Sequence, residues 1–249
     1  MPSPRTLTIH CAAAVHARTE HPPPGAPDSA EAWVYFGSIS SLAARSAHFL
    51  SLLDAEELAR ADRFRFAQDR ERFIAGHGLL RELLGQQLHR HPKDLVLLRG
   101  EFGKPFLEGG PLHFNLSDTK DAVLVAFSRQ PIGADIETIN RHTDHAAVAN
   151  HYFTPAEVRS IATAVDAKRR FLELWTRKEA VLKACGVGLM DDLQSLEVNG
   201  PTNLMTITHP EFVRMAAPAY YVRTLLAGTD HFISVATAQA VHSVRLFTA

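Results

Sequence analysis

An α+β fold, built as one large domain or as two similar lobes, is the architecture this sequence predicts. Two long stretches in which apolar residues recur at helical spacing, 69–89 and 168–185, alternate with short runs rich in valine, isoleucine and phenylalanine. With 249 residues, 46% of them apolar, the chain can fill one large core or two modest ones. Each half also carries a helix-rich portion followed by an apolar strand, at 123–127 and at 232–236, which permits two α+β lobes facing each other.

Composition narrows the function classes. The formal charge of -1 gives no global attraction to nucleic acid or to an anionic membrane, so any phosphate binding must come from a local cluster. Cys11 and Cys185 are the only cysteines; they lack metal-type spacing and fit a reduced, cytoplasmic protein. The apolar run at 7–15 is broken by His10, and no segment approaches the roughly 18 apolar residues of a membrane span.

Taken in order, residues 16–32 carry His21-Pro22-Pro23-Pro24-Gly25 and read as an exposed connection before a short buried strand at 33–36. A helical pattern begins at Leu42, and Asp54 with Glu57 marks a further helix start, as N-cap and capping-box partner. Arg60, Arg63, Arg65, Arg70 and Arg72 follow, interleaved with Phe64, Phe66 and Phe73. The phenylalanines suit a core. The arginines are either solvated or form an anion-binding edge, for which Arg60 and Arg72 are candidates because guanidinium forks match phosphate oxygens. After the helix at 69–89, a strand at 94–98 leads into the loop Arg99-Gly100-Glu101-Phe102-Gly103-Lys104-Pro105, where Lys104 offers a point charge. Strands at 113–117 and 122–127 then flank a polar break at 118–121.

Ile132-Gly133-Ala134-Asp135-Ile136-Glu137 places two carboxylates two residues apart in a segment that otherwise reads as buried strand. Side chains two apart share a face, with Cα atoms about 6.6 Å apart, while Ile136 turns to the core. Asp135 and Glu137 are either surface charges at a strand end or oxygen ligands for a hard cation such as magnesium. His142, His145 and His151 are spaced too irregularly for a zinc site. Thr154-Pro155-Ala156-Glu157 is a helix start, in which capping is the expected task of Glu157. In the helix at 168–185, Phe171, Leu174, Trp175 and Leu182 form a packed stripe. Glu179 and Lys183 lie one turn apart on one face beside Lys178, which by itself reads as an exposed ion pair. Gly186 and Gly188 close this helix, and short strands are expected at 196–198, 205–208, 220–223 and 232–236.

Gly103-Lys104-Pro105, Phe114-Asn115-Leu116-Ser117-Asp118-Thr119, the segment 132–137 and the segment 171–189 with its Trp175, Lys178, Glu179 and Lys183 together resemble the 4'-phosphopantetheinyl transferases. Neither carboxylate motif is specific alone; their order and spacing resemble the larger, two-lobed monomeric class that activates nonribosomal peptide, polyketide and related synthases. The resemblance covers residues 58–189 well and the remainder in general shape. It implies that family's fold, with two similar α/β lobes related by a pseudo-two-fold: an N-terminal lobe at 1–129 contributing to coenzyme A binding, and a C-terminal lobe at 130–249 carrying the magnesium site and catalytic helix.

The implied reaction moves phosphopantetheine from coenzyme A to a serine hydroxyl of an apo acyl or peptidyl carrier protein and releases 3',5'-ADP. Magnesium is the implied metal, with manganese as the alternative. The implied protein is a cytoplasmic monomer with no nucleic-acid or membrane partner. Asp135, Glu137 and Glu179 match the family's magnesium ligands, and Lys183 its lysine near the reacting phosphates. Arg60, Lys104 and Ser117 match positions that touch coenzyme A, and Arg72 lies beside another. Asp118 stands where most members carry a histidine that hydrogen-bonds to the pyrophosphate, and Glu57 where a basic residue often meets the 3'-phosphate. The grip on the donor is therefore expected to differ here. Glu179, directly or through a metal-bound water, is the expected base, and Lys183 the group that stabilises the leaving phosphate. Two other readings stand beside this one: a magnesium-dependent hydrolase of a nucleotide pyrophosphate, and a non-catalytic coenzyme A-binding protein.

Overall fold

Runs of alternating burial assemble here into two principal sheets with helices on their outer faces. The computed structural model describes residues 3–188, 190 and 192–249. Chain order is β1 (Arg5–Cys11), β2 (Val15–Ala17), β3 (Thr19–Glu20), β4 (Glu31–Ser38), α1 (Ile39–Leu42), α2 (Ser46–Leu52), α3 (Ala55–Ala61), α4 (Ala67–Leu88), β5 (Leu97–Arg99), β6 (Pro105–Leu107), β7 (His113–Thr119), β8 (Ala122–Ser128) and β9 (Ile132–Thr138). It continues through α5 (His145–Tyr152), α6 (Pro155–Ala162), α7 (Ala167–Cys185), β10 (Thr202–Ile207), α8 (Pro210–Met215), β11 (Ala219–Ala227), β12 (His231–Thr237) and β13 (Ser243–Thr248). Leu189, which ends the motif at 171–189, and Met1 and Pro2 of the first lobe's expected span lie outside the described residues.

The same unit occurs twice. β4 is followed by α1–α4 and then by the hairpin β7–β8, whose second strand returns to pair antiparallel with β4. β9 is followed by α5–α8 and then by the hairpin β11–β12, whose second strand returns to pair antiparallel with β9. A boundary at 129/130 falls in the turn between β8 and β9, but the terminal strands cross it. β1 runs parallel to β11 in the second sheet, and β13 runs parallel to β4 in the first.

Burial explains the layers. On β8, Val123, Val125 and Phe127 face α4 and join a core with Trp33, Phe49 and Phe73, whereas Leu124 and Ala126 face the other sheet. There they meet Val34, Ile136, Ile233 and Leu246 in a central apolar layer. Because both faces are covered, the strand reads as a continuous apolar run. Phe171, Leu174, Tyr220 and Phe232 fill the layer under α7. No helix among the described residues is long and apolar enough to cross a membrane.

Both capping boxes form, Asp54 with Glu57 and Thr154 with Glu157. Glu157 is fully buried and also receives the Lys178 Nζ at 2.8 Å and the Val198 amide at 2.9 Å. The strand expected at 196–198 is absent for the same reason. The Leu196 carbonyl accepts from Lys178 and the Val198 carbonyl from Arg177, so buried side chains satisfy the backbone that a sheet partner would otherwise serve. At 94–98, a 3-10 turn over Pro92–Asp94 takes the first position and β5 starts only at Leu97.

One contact seats α7 on β9. A Cβ at Gly133 would lie 2.1 Å from both the Ala180 carbonyl oxygen and the Ala184 amide nitrogen, so only glycine lets the helix backbone descend onto the strand. Gly186, at φ 87°, then closes α7 in the left-handed conformation. Gly133→Ala is expected to destabilise the protein by at least ~1–3 kcal/mol, read as a lower urea midpoint. An unchanged midpoint would show that the helix does not rest there.

Candidate active site

The open edges of the two sheets face each other along β7 and β9, and the site lies where they meet. On β7, Phe114 and Leu116 pack toward α4, so Asn115, Ser117 and Thr119 take the opposite parity. They reach β9 as three rungs. Asn115 Oδ1 accepts from the Ala134 amide at 2.6 Å, Ser117 Oγ accepts from the Ile136 amide at 3.3 Å, and Thr119 donates to Glu137 Oε2 at 3.2 Å. On β9, Ile132, Ala134 and Ile136 enter the central layer, which leaves Gly133, Asp135 and Glu137 on the α7 side.

Helix α7 brings Glu179 and Lys183 to this face. Lys183 does not close the exposed ion pair that its spacing from Glu179 allowed. Its Nζ instead donates to Asp135 Oδ1 at 2.6 Å and to Ser117 Oγ at 3.0 Å, while Ser117 donates to the same Asp135 oxygen at 2.9 Å. The other oxygen, Asp135 Oδ2, is buried with no hydrogen-bond partner. Glu137, also buried, receives Arg141 Nη1 on Oε1 at 2.6 Å.

Electrostatics follow from this crowding. Burial, and then the Asp135 charge, push the Glu179 carboxyl up to about 7, against the pull of Lys183. Burial and Asp135 likewise raise Glu137, opposed by Arg141. Burial works against the charge on Lys183, but Asp135 and Glu179 outweigh it and hold the amine above its ordinary value. Glu137 and Asp135 are each paired with a basic side chain, and no ready-made cluster of three metal-binding side chains stands among the described residues. The donors nevertheless fit a hard divalent cation: all are carboxylate oxygens, and the buried Asp135 Oδ2 has no hydrogen-bond partner of its own.

Beside these carboxylates opens a polar cleft of about 310 Å³ lined by Arg72, Asp118, Thr119, Lys120 and Arg141. Asp118 has the parity of Leu116 and so reaches α4, where its Oδ2 lies 2.6 Å from Arg72 Nε; Asp69 accepts from Arg72 Nη2 at 2.8 Å. Ser117, Asp118, Asp135, Glu137, Lys183 and Arg72 are thus brought together, with Glu179 close enough for its charge to be felt. Lys104 touches the site from behind: its Nζ donates to the carbonyls of Ile132 and Lys183 at 2.8 and 2.6 Å, and burial lowers it to about 8. Arg60 is not among the residues that line the cleft; its guanidinium lies 5.2 Å over the ring of Phe73, the neighbour of Arg72. Glu57 is buried in its capping box, where it meets His77 and Arg81. Arg141 and Lys120 were not singled out from sequence; Arg141 lies in the irregular segment after β9, where its spacing from Glu137 has no helical meaning and gave no signal of the pairing.

Known proteins are similar to this chain in sequence. The family model described as 4'-phosphopantetheinyl transferase, N-terminal, matches residues 41–130, and that of the 4'-phosphopantetheinyl transferase superfamily matches residues 131–235. The 4'-phosphopantetheinyl transferase HetI of Nostoc sp. is 35% identical over 195 residues, 75% of this chain and 78% of that protein. A phosphopantetheinyl transferase of Thraustochytrium sp. is 36% identical over 57% of this chain and 55% of its own length. The 4'-phosphopantetheinyl transferase Sfp of Bacillus subtilis is 30% identical over 60% of this chain and 67% of that protein.

The raised Glu179 carboxyl sets a pH dependence. The folded state keeps this proton to about pH 7, whereas the unfolded chain releases it near 4.5, so the folded state binds more protons between these values. Stability of the metal-free protein therefore falls as pH rises from about 4.5 through about 7. Melting temperatures in EDTA should decline across this window, Glu179→Gln should flatten the decline, and magnesium should restore stability most at the upper end. A metal-free profile that is flat or rises in both proteins would contradict the crowding of carboxylates.

Proposed function

Since the chain belongs to the 4'-phosphopantetheinyl transferase superfamily, in its Sfp-like class, we propose that it moves the 4'-phosphopantetheine group of coenzyme A to a serine hydroxyl of an apo acyl or peptidyl carrier protein. The serine oxygen forms a bond to the phosphorus that carries pantetheine, the bridging P–O bond breaks, and 3',5'-ADP leaves. Such a site must neutralise the pyrophosphate, align the hydroxyl and take its proton.

Asp135, Glu137 and Glu179 would hold magnesium, which supplies charge neutralisation and polarisation of the phosphorus. Lys183, kept charged by its carboxylate neighbours and fixed by Asp135 and Ser117, is placed to stabilise the negative charge that develops on the leaving phosphate. Glu179 is the base: a carboxyl raised to about 7 is matched to removing a hydroxyl proton near neutral pH. Arg72, with two of its nitrogens held by Asp118 and Asp69, lines the cleft as a fixed cation for donor phosphate. Lys104 serves by tying the loop before β6 to the start of β9 and the end of α7. The observation that carries the reading is the buried Asp135, its Oδ2 unpartnered and its Oδ1 held by Lys183, on the same strand as Glu137, which Thr119 and Arg141 link to the polar cleft. We read the enzyme further as a cytoplasmic monomer, with which its buried free cysteines and small net charge agree.

Purified protein given coenzyme A, magnesium and an apo carrier should add one phosphopantetheine to the carrier, seen by mass spectrometry. Asp135→Ala, Glu179→Ala and Lys183→Met should each reduce the rate by about 10²–10⁴-fold with little change in circular dichroism. Release of 3',5'-ADP at full rate without a carrier, or no modification across a panel of carriers, would overturn the assignment.

A further inference from the structure

Arg141 has no task in the transfer reaction described above, yet it occupies a ligand position. It follows β9 in a turn, its amide donating to the Thr138 carbonyl at 3.3 Å, and its side chain folds back so that Nη1 meets Glu137 Oε1 at 2.6 Å. The two partners differ in setting: the Arg141 side chain is 54% exposed and that of Glu137 9%. Thr119 holds the second Glu137 oxygen, so both oxygens are taken, whereas Asp135 keeps Oδ2 bare. A cation shared by Asp135 and Glu137 would compete with Arg141 for Glu137, whose Oε2 Thr119 already engages. The same guanidinium lines the cleft shared with Arg72 and Lys120.

We propose that Arg141 is the resident counter-ion of Glu137, which a divalent cation displaces, and that the released guanidinium then binds an anionic phosphate of the donor in the adjoining cleft. The inference rests on the proposed magnesium and coenzyme A sites. It makes the two ligands cooperate through one residue. Without metal, Arg141 is engaged by Glu137 and contributes nothing to the donor; with metal bound, it adds a charge-assisted hydrogen bond. Displacement is feasible because the guanidinium, 54% exposed, returns to water while the incoming cation compensates the buried carboxylate. A long side chain on an exposed segment can also turn from carboxylate to phosphate without moving β9.

Manganese binding, followed by the EPR signal of the free ion, and coenzyme A binding, followed by calorimetry with and without manganese, test this on the intact protein. Arg141→Ala and Arg141→Gln should bind manganese alone about two- to fivefold more tightly. They should bind coenzyme A as the wild type does in EDTA, and about three- to tenfold more weakly in manganese. Equal loss of coenzyme A affinity in both conditions would make Arg141 a permanent donor contact and overturn the exchange. Unchanged or weaker manganese binding would overturn it as well. Wild-type protein with no manganese binding that Asp135→Asn removes would instead refute the metal site itself, which separates the two failures.

Discussion

The site depends on two sheet edges that meet without joining. β7 and β9 each spend one edge on a hairpin or return strand, β8 and β12, and leave the other facing its counterpart. Ladder hydrogen bonds across this gap would place backbone where the chemistry is. Instead, Asn115, Ser117 and Thr119 cross it as side chains, and the space they hold open is filled by Asp135, Glu137 and Lys183. Ser117 is the central rung. Its hydroxyl has one proton and two lone pairs; it donates to Asp135 and accepts from Lys183 and the Ile136 amide, so its capacity is filled within the protein.

Much of this was legible in the sequence, because it is governed by local rules. Capping chemistry located the starts of α3 and α6, period-2 alternation put Asp135 and Glu137 on one face, and helical spacing put Glu179 and Lys183 on another. What the sequence concealed is governed by partners far along the chain. The apolar run at 7–15 read as merely broken by His10, whereas 5–11 form β1, because the strands that flank it, β10 and β11, come from the other end. Residues 196–198 have strand-like composition, yet Lys178, Glu157 and Arg177 take their backbone groups. Lys104 offered a point charge, and the two carbonyls its amine meets lie on β9 and α7, far along the chain.

Asp118 shows how a local charge conflict is resolved by a neighbouring layer. A carboxylate beside the proposed donor site would be unfavourable alone, but the pleat turns Asp118 toward α4, where Arg72 meets it. The acid thereby becomes the anchor of a cation. Glu57 is reconciled differently: buried, it caps α3 and meets His77 and Arg81.

The crossing of the terminal strands has a consequence for folding. β13 covers the flank of β4, and β1 covers the flank of β11, so each sheet is completed by the far end of the chain. A half cut at the turn between β8 and β9 would keep its helices and hairpin but present an uncovered strand edge, a template for pairing with other chains. The ends must therefore be threaded home before either sheet is safe from intermolecular pairing. The repeated unit is therefore no guide to where the chain can be divided, because each half carries a strand that the other half's sheet needs.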